Sequence, residues 1–350
     1  MPTLTRRTAL VGAVGLTVAL ALTGCSKAAT DTSSGGAAGG ATGGSSKPLS
    51  IVFIPKNLGN PYFDASDSGG KEAVQSLGGT YSQVGPQTAS PDAQVQYINT
   101  AAQQRVSAIV ISANDPKAIG DALTQAKQAG SKVVTFDSDT DAQYRDLFVN
   151  QASPEGIAKA QVDGIAKQIN DSGEIAILSA SANATNQNAW IDLMKKELAG
   201  SHPNIQLVDT VYGNDDDQTS FDKTAALLQT HPNLKGIISP TTVGVAAAAR
   251  YLSTSDKKGK VALTGLGTPN QMREYIKNGT VKEFYLWNPT DLGYLAAQTA
   301  AALVSGTITG KQGDSFKAGR LGDYKVGANG VVLLGDPTAF TADNIDKFNF

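Results

Sequence analysis

Leu49-Ser50-Ile51-Val52-Phe53-Ile54 is a short aliphatic run that breaks at Pro55-Lys56-Asn57. Its apolar residues are continuous rather than alternating, which reads as a strand buried on both faces. A helical pattern over residues 63–77 follows and stops at Gly78-Gly79. The pairing then repeats. Residues 79–84 read as a strand, 91–104 as a helix, 108–112 as a strand, 118–129 as a helix and 132–136 as a strand. Short buried strands alternating with helices imply a parallel sheet covered by helices on both faces.

The order restarts in the second half. Residues 174–178 mirror the first strand. Strands at 205–210, 236–239 and 261–265 then alternate with helices at 188–198, 219–229 and 243–252. Residues 48–350 exceed what one core usually holds. The expected fold is therefore α/β, with two doubly wound, Rossmann-like lobes and a ligand cleft between them. In such sheets ligands bind beyond the carboxyl ends of the strands.

The residues at those ends are polar or aromatic. Lys56, Asn60 and Phe63 follow the first strand, and Asp137-Ser138-Asp139 follow the fourth. In the second half the strand ends lead into Thr185-Asn186-Gln187-Asn188-Ala189-Trp190, Pro240-Thr241-Thr242 and Leu266-Gly267-Thr268. The run Phe284-Tyr285-Leu286-Trp287-Asn288-Pro289 returns the chain towards the first lobe. Carboxylates and amides suit adjacent hydroxyls, and indole or phenyl rings cover the apolar faces of a sugar ring. A few polar groups within apolar walls make a small-molecule pocket. The candidate ligand set is Lys56, Asn60, Phe63, Asp137, Asp139, Asn186 and Gln187, with Trp190, Pro240, Thr242, Gly267, Trp287 and Asn288. Several of these also have a plain structural reading. Asp137 and Asp139 can cap the next segment, Asn186 can sit in a turn, and Lys56 can be solvated. Trp190 can pack in the core, and Trp287 can line a hinge. Asp215-Asp216-Asp217 reads as an acidic helix start favoured by the dipole.

Composition narrows the function class. The chain carries 29 basic and 31 acidic residues, for a net charge of −2, with no basic stripe for nucleic acid. One cysteine excludes an internal disulfide or a cysteine zinc site. His202 and His231 both precede proline, which places them in extended or turn backbone at the surface. No catalytic or metal role is assigned to any residue, and no phosphate-cradling loop or cofactor motif is present. Asp137 and Asp139 could be read as a paired-carboxylate site, but residues two apart in a strand-end turn rarely flank one glycosidic bond at the roughly 5–9 Å that its hydrolysis needs.

Near the N-terminus, Arg6 and Arg7 precede an apolar run over residues 9–22, which ends in Leu22-Thr23-Gly24-Cys25. That is the pattern of a secretory signal. The run is shorter than the roughly 20 residues that span a bilayer. Cys25 at the break resembles the lipidation site of bacterial lipoproteins. Residues 1–25 are then a signal peptide, and the Gly/Ala/Ser-rich stretch within residues 26–47 a flexible tether.

The strings Phe53-Ile54-Pro55-Lys56, Thr135-Phe136-Asp137-Ser138-Asp139, Thr185-Asn186-Gln187-Asn188-Ala189-Trp190, Pro240-Thr241-Thr242-Val243-Gly244 and Phe284-Tyr285-Leu286-Trp287-Asn288-Pro289 carry a resemblance from about residue 49 onward. They are similar to the rhamnose-binding group of type I periplasmic binding proteins of sugar ABC importers. The resemblance implies a non-enzymatic, monomeric protein, lipid-anchored on the extracytoplasmic face. It would close on a sugar and deliver it to an ABC permease, without a cofactor. It also implies lobes of 48–152 plus 289–316 and 153–288 plus 317–350, joined by three crossings. In the sister group that binds autoinducer-2, the ligand positions fall on Lys56, Asp137, Asn186, Gln187, Pro240 and Thr242. That group has Asp at position 186 and Ala at 242, so this chain departs at both.

Overall fold

A computed structural model describes residues 48–350. The expected signal peptide, Cys25 and the tether lie outside the described residues. The first half runs β1 (Ser50–Ile54), α1 (Pro61–Ser76), β2 (Thr80–Gln83), α2 (Pro91–Gln103), β3 (Ala108–Ile111), α3 (Gly120–Gln128), β4 (Lys132–Phe136) and β5 (Leu147–Asn150). The second runs α4 (Pro154–Gln168), β6 (Gly173–Ser179), α5 (Thr185–Ser201), β7 (Ile205–Tyr212), α6 (Asp217–Thr230), β8 (Leu234–Ser239), α7 (Thr242–Thr254), β9 (Ala262–Gly265), α8 (Pro269–Lys277) and β10 (Phe284–Leu286). The chain ends with α9 (Pro289–Val304), β11 (Ser315–Lys317), β12 (Asp323–Lys325), β13 (Val331–Leu333) and β14 (Thr338–Phe340).

The first sheet has the order β13-β5-β4-β3-β1-β2 and is parallel throughout. The second has the order β7-β6-β8-β9, also parallel. β10 lies beside β9 through a parallel bridge between Leu266 and Tyr285, and β14 pairs antiparallel with β10. The α/β reading with two parallel sheets holds. β1 shows why its sequence was apolar throughout. Ile51 and Phe53 pack on one face with Val110 and Phe136, while Val52 and Ile54 pack on the other with Ile109 and Ile111. Strand side chains alternate between faces, so both faces are core.

The chain crosses between sheets three times, at 151–153, 287–288 and 334–337. The last crossing is later than the expected boundary at 316/317. β13 hydrogen-bonds in parallel to β5, which buries Val332 in the first lobe. Arg320 ties the preceding segment to Glu72 of α1 and Asp291 of α9. Only the tail from β14 packs on the second lobe, where Phe340 stacks on Phe284 at 5.0 Å.

α1 and α9 approach so closely that only glycine fits at two contacts. A Cβ on Gly69 would sit 1.8 Å from the carbonyl oxygen of Thr290, and one on Gly293 would sit 1.8 Å from that of Ser66. This packing fixes the two helix starts side by side. Asn60 caps α1 by accepting from the Tyr62 N–H at 3.1 Å, and Asn288 caps α9 by accepting from the Thr290 N–H at 3.0 Å.

Candidate functional site

The strand ends of both sheets face one cleft of about 370 Å³, counting its mouth. Lys56, Asn60, Tyr62, Phe63 and Asp137 line it from the first lobe. Asn186, Gln187, Trp190, Asp215, Pro240, Thr241, Thr242, Leu266 and Leu286 line it from the second, and Trp287 at the second crossing closes it.

Asp137 ends β4 with φ of 60°, a left-handed conformation that costs a non-glycine residue about 1–3 kcal/mol. The turn aims its buried carboxylate into the cleft. Oδ1 accepts from the Tyr62 hydroxyl at 3.1 Å, and Oδ2 accepts from Ser112 Oγ at 2.7 Å. Lys56 Nζ stands 3.9 Å from Oδ2. Trp287 Nε1 in turn donates to the Tyr62 oxygen at 2.9 Å. The indole thereby orients the phenol, and the phenol orients the carboxylate. Burial, reinforced by the Asp137 charge and only partly offset by the Trp287 bond, pushes the Tyr62 hydroxyl well above its usual pKa. It is a neutral donor at any physiological pH.

The lobes meet across this group. Lys56 Nζ donates to Asn186 Oδ1 at 3.2 Å, and Asn186 Nδ2 donates to the Asp137 carbonyl oxygen at 3.3 Å and to its Oδ1 at 3.4 Å. Gln187 has its Oε1 committed to Ser179 Oγ at 2.7 Å and the Ala180 N–H at 2.8 Å, so its amide nitrogen is the group it can offer a ligand. The aromatic wall is continuous, with rings in edge contact: Phe63 to Tyr62 at 5.2 Å, Tyr62 to Trp287 at 6.1 Å and Trp287 to Trp190 at 6.1 Å. Trp190 and Trp287 are thus both core residues and lining residues.

Of the thirteen candidate positions, Asp139, Gly267 and Asn288 do not line the cleft. Asp139 turns away and is held by Arg145 Nε at 2.7 and 2.9 Å to its two oxygens, with Thr135 Oγ1 at 2.5 Å and the Thr140 N–H at 2.9 Å. It fixes the turn that aims Asp137. Burial raises its pKa, and Arg145 and Thr135 oppose that. Gly267 is a packing position, where a Cβ would meet Met272 Cγ at 2.6 Å. Asn288 is the α9 cap described above.

Tyr62, Asp215, Thr241, Leu266 and Leu286 line the cleft but lie outside the candidate set. Tyr62 is adjacent to Phe63 but one position out of phase on α1. Asp215 was hidden in an acidic triplet whose three members have separate roles. Asp216 caps α6 through the Thr219 N–H at 2.7 Å, and Asp217 pairs with Arg250. Asp215 instead adopts φ of 51°, enters the cleft and accepts from the Thr241 hydroxyl. Burial pushes its pKa up and the nearby Asp137 adds to that, while the Thr241 bond and Lys56 hold it down.

His202, expected at the open surface, is partly buried at the end of α5. Its Nδ1 meets Asp171 Oδ1 at 2.5 Å and its Nε2 meets Asp163 Oδ1 at 3.4 Å. Burial works against its charge, but the two carboxylates outweigh it and raise the pKa. Asp163, Glu197 and His202 converge closely enough to hold a cation, but the Lys159 ammonium already bridges the two carboxylates at 3.1 and 3.2 Å.

The profile of the periplasmic binding protein domain matches residues 51–308. The chain belongs to that family. A sugar ABC transporter protein from Actinomyces odontolyticus is 53% identical, with a TM-score of 0.71 over 86% of this chain and 98% of that one. An ABC transporter solute-binding protein from Clostridium phytofermentas, solved with bound L-rhamnose, is 40% identical with a TM-score of 0.84, over 87% of this chain and 98% of that one. An LsrB protein from Clostridium saccharobutylicum in complex with AI-2 is 27% identical with a TM-score of 0.83, over 86% of this chain and 100% of that one. A D-apiose import binding protein from Actinobacillus succinogenes is 25% identical over 75% of this chain and 84% of its own length. These relatives are solute-binding proteins of ABC transporters rather than enzymes, and this periplasmic binding protein is likewise a binding protein.

Proposed function

We propose that the protein captures a neutral monosaccharide between its lobes, with L-rhamnose as the preferred ligand, and presents it to an ABC permease. The observation that carries this reading is the cleft itself. It joins an oriented carboxylate, an ammonium and two side-chain amides to a wall of aromatic rings. Sugar binding in an ABC transporter context is common to the relatives. The choice of L-rhamnose rests on the 40% identical neighbour that holds it and on two positions in this chain. Asn186 both donates and accepts, whereas an ionised Asp only accepts. Thr242 adds a hydroxyl and bulk to the cleft lining. Phe63, Trp190 and Trp287 offer an apolar surface to a 6-methyl group. Autoinducer-2 is the second reading, favoured by the AI-2-bound neighbour of the same fold. Relatives that bind D-arabinose, D-ribose or D-apiose extend the set of candidates.

A ligand gripped by both lobes favours closure by its differential affinity for the closed state, and the three crossings act as the hinge. The sequence around Cys25 supports a lipid anchor on the extracytoplasmic face, and Cys25→Ser should release the protein from membranes. Ligand choice is tested by competition calorimetry with L-rhamnose, its des-methyl analogue L-lyxose and autoinducer-2. One buried methyl is worth about 0.8 kcal/mol, so L-rhamnose should bind roughly fourfold tighter than L-lyxose. Displacement of L-rhamnose by an equal concentration of autoinducer-2 would overturn the assignment.

A further inference from the structure

We propose that Asp215 is the second lobe's sugar-gripping carboxylate and that it sets the charge selection of the cleft, admitting neutral sugars and rejecting sugar acids. This rests on the sugar-binding reading above and assigns a role to a residue outside the candidate ligand set.

The placement of Asp215 is specific. Asn214 and Asp215 both adopt left-handed backbone, with φ of 56° and 51°. Two such residues in succession are uncommon outside glycine. They turn the chain between β7 and the Asp216 cap so that the first residue of an acidic run points inward. Its two neighbours stay outside the cleft, Asp216 as the α6 cap and Asp217 paired with Arg250.

The carboxylate is also under-used by the protein. An ionised carboxylate offers about four lone-pair sites. Among the described residues, its hydrogen-bond partner is the Thr241 hydroxyl, and no cation lies within ion-pair distance. Asp137, across the cleft, is bonded by Tyr62, Ser112 and Asn186. Asp215 therefore has the greater capacity left for ligand hydroxyls, and it approaches from the opposite lobe. A sugar held between the two carboxylates donates in both directions, which couples binding to closure.

The charge balance follows from the lining. Asp137 and Asp215 are its carboxylates and Lys56 is its cation, and Lys56 is already engaged with Asn186 and Asp137. A ligand carboxylate would be a third acid with no cation to meet it. Burying a charge without a partner is strongly unfavourable, whereas a hydroxyl donor relieves the buried carboxylate it meets.

The test uses purified protein, L-rhamnose, and L-mannuronate, which carries a carboxylate where L-rhamnose carries its methyl. Asn tolerates left-handed backbone as Asp does, so Asp215→Asn should keep the fold, which a sugar-free thermal melt checks. Calorimetry should show L-mannuronate at least 100-fold weaker than L-rhamnose in the wild type. Asp215→Asn should weaken L-rhamnose about tenfold or more and narrow the ratio of the two ligands at least tenfold. Asp215→Ala should weaken L-rhamnose at least as much. Unchanged L-rhamnose affinity in Asp215→Asn, or an unchanged ratio, overturns the proposal and leaves the functional reading standing. If the wild type prefers another neutral sugar, that sugar and its uronate replace the pair and the same criteria apply. A wild type that binds no neutral sugar overturns the functional reading, and the proposal with it.

Discussion

The turn after β4 and the turn after β7 solve one geometric problem in two ways. Each sends a left-handed aspartate into the cleft, Asp137 from the first lobe and Asp215 from the second. Each also holds further acids outside it. Around Asp137 the protein supplies nearly every partner: Tyr62, Ser112, Asn186, and Arg145 gripping Asp139 just beyond. Around Asp215 it supplies the Thr241 hydroxyl. The first turn is therefore rigid before ligand arrives, because its rotamers are fixed by mutual bonds. The second has bonding capacity to spare. A rigid face with an adaptable face opposite is an arrangement in which ligand completes the closed state rather than merely fitting it.

The largest effect expected from breaking this contrast is on stability at Asp139. The Arg145 side chain is 5% exposed and that of Asp139 20%, so their pair is nearly buried. Removing one partner of a buried pair costs about 3–5 kcal/mol, because the other charge is left uncompensated. Asp139→Ala should lower the denaturation free energy by an amount near the lower end of that range. L-rhamnose affinity of the folded fraction should change by less than threefold. Urea melts and calorimetry on one preparation check both halves. A large affinity loss without a stability loss would mean that Asp139 contacts ligand after all.

Asp137→Ala should act on ligand as well as on the fold. A hydrogen bond to a charged group contributes about 1.5–3 kcal/mol, so sugar affinity should fall by tenfold or more. The protein should still fold, with some loss of stability, because Lys56 and Ser112 lose a buried partner while Tyr62 keeps its bond from Trp287. Intrinsic fluorescence should report the change, since Trp287 is linked to the altered group through the Tyr62 hydroxyl. Equal affinity by calorimetry would reduce Asp137 to a structural turn residue.

These two residues also show what was legible in the sequence. Thr135-Phe136-Asp137-Ser138-Asp139 announces a strand end with acids, and strand ends are where such sheets bind ligands. Nothing local says that Asp137 turns inward while Asp139 turns to Arg145. That choice depends on Arg145 being brought back by the chain between β4 and β5, and Arg145 Nη1 also reaches the Asn329 carbonyl from the far end of the sequence. The central strands β1, β3, β4, β6 and β8 were readable because burial on both faces writes itself as continuous apolar residues, whereas β5 gave no such signal. α9 was not read as a helix, although it is almost wholly buried, because a helix apolar on every side loses its amphipathic period. The last crossing was misplaced for a similar reason. β13 spans Val331–Leu333 and gains its identity only by pairing with β5. Asp215 was hidden by its company, since an acidic triplet before a helix is explained by the dipole alone.

The smallest expected effect lies on α1, away from the cleft, and separates the pH response of the fold from that of the site. Asp67 is half-buried on the helix that carries Tyr62 and Phe63, and its side chain accepts from the Tyr81 hydroxyl. Burial, with help from Asp64 and against Lys71, pushes its pKa from 3.8 up to about 6. In that interval the folded state holds a proton that the unfolded chain releases. Stability contributed by this group is therefore complete below about pH 4 and is lost as pH rises through about 6. Asp67→Asn keeps the acceptor for Tyr81 and removes the charge. The variant should melt with the wild type at pH 4 and above it at pH 8, by about 2 °C for a chain of this size, since solvent at the exposed half screens much of the shift. L-rhamnose affinity should be the same in both proteins at each pH. A variant that melts lower at pH 8, or an affinity that follows the Asp67 titration, would mean that α1 transmits its charge state to the cleft through Tyr62 and would break the separation drawn here between scaffold and site.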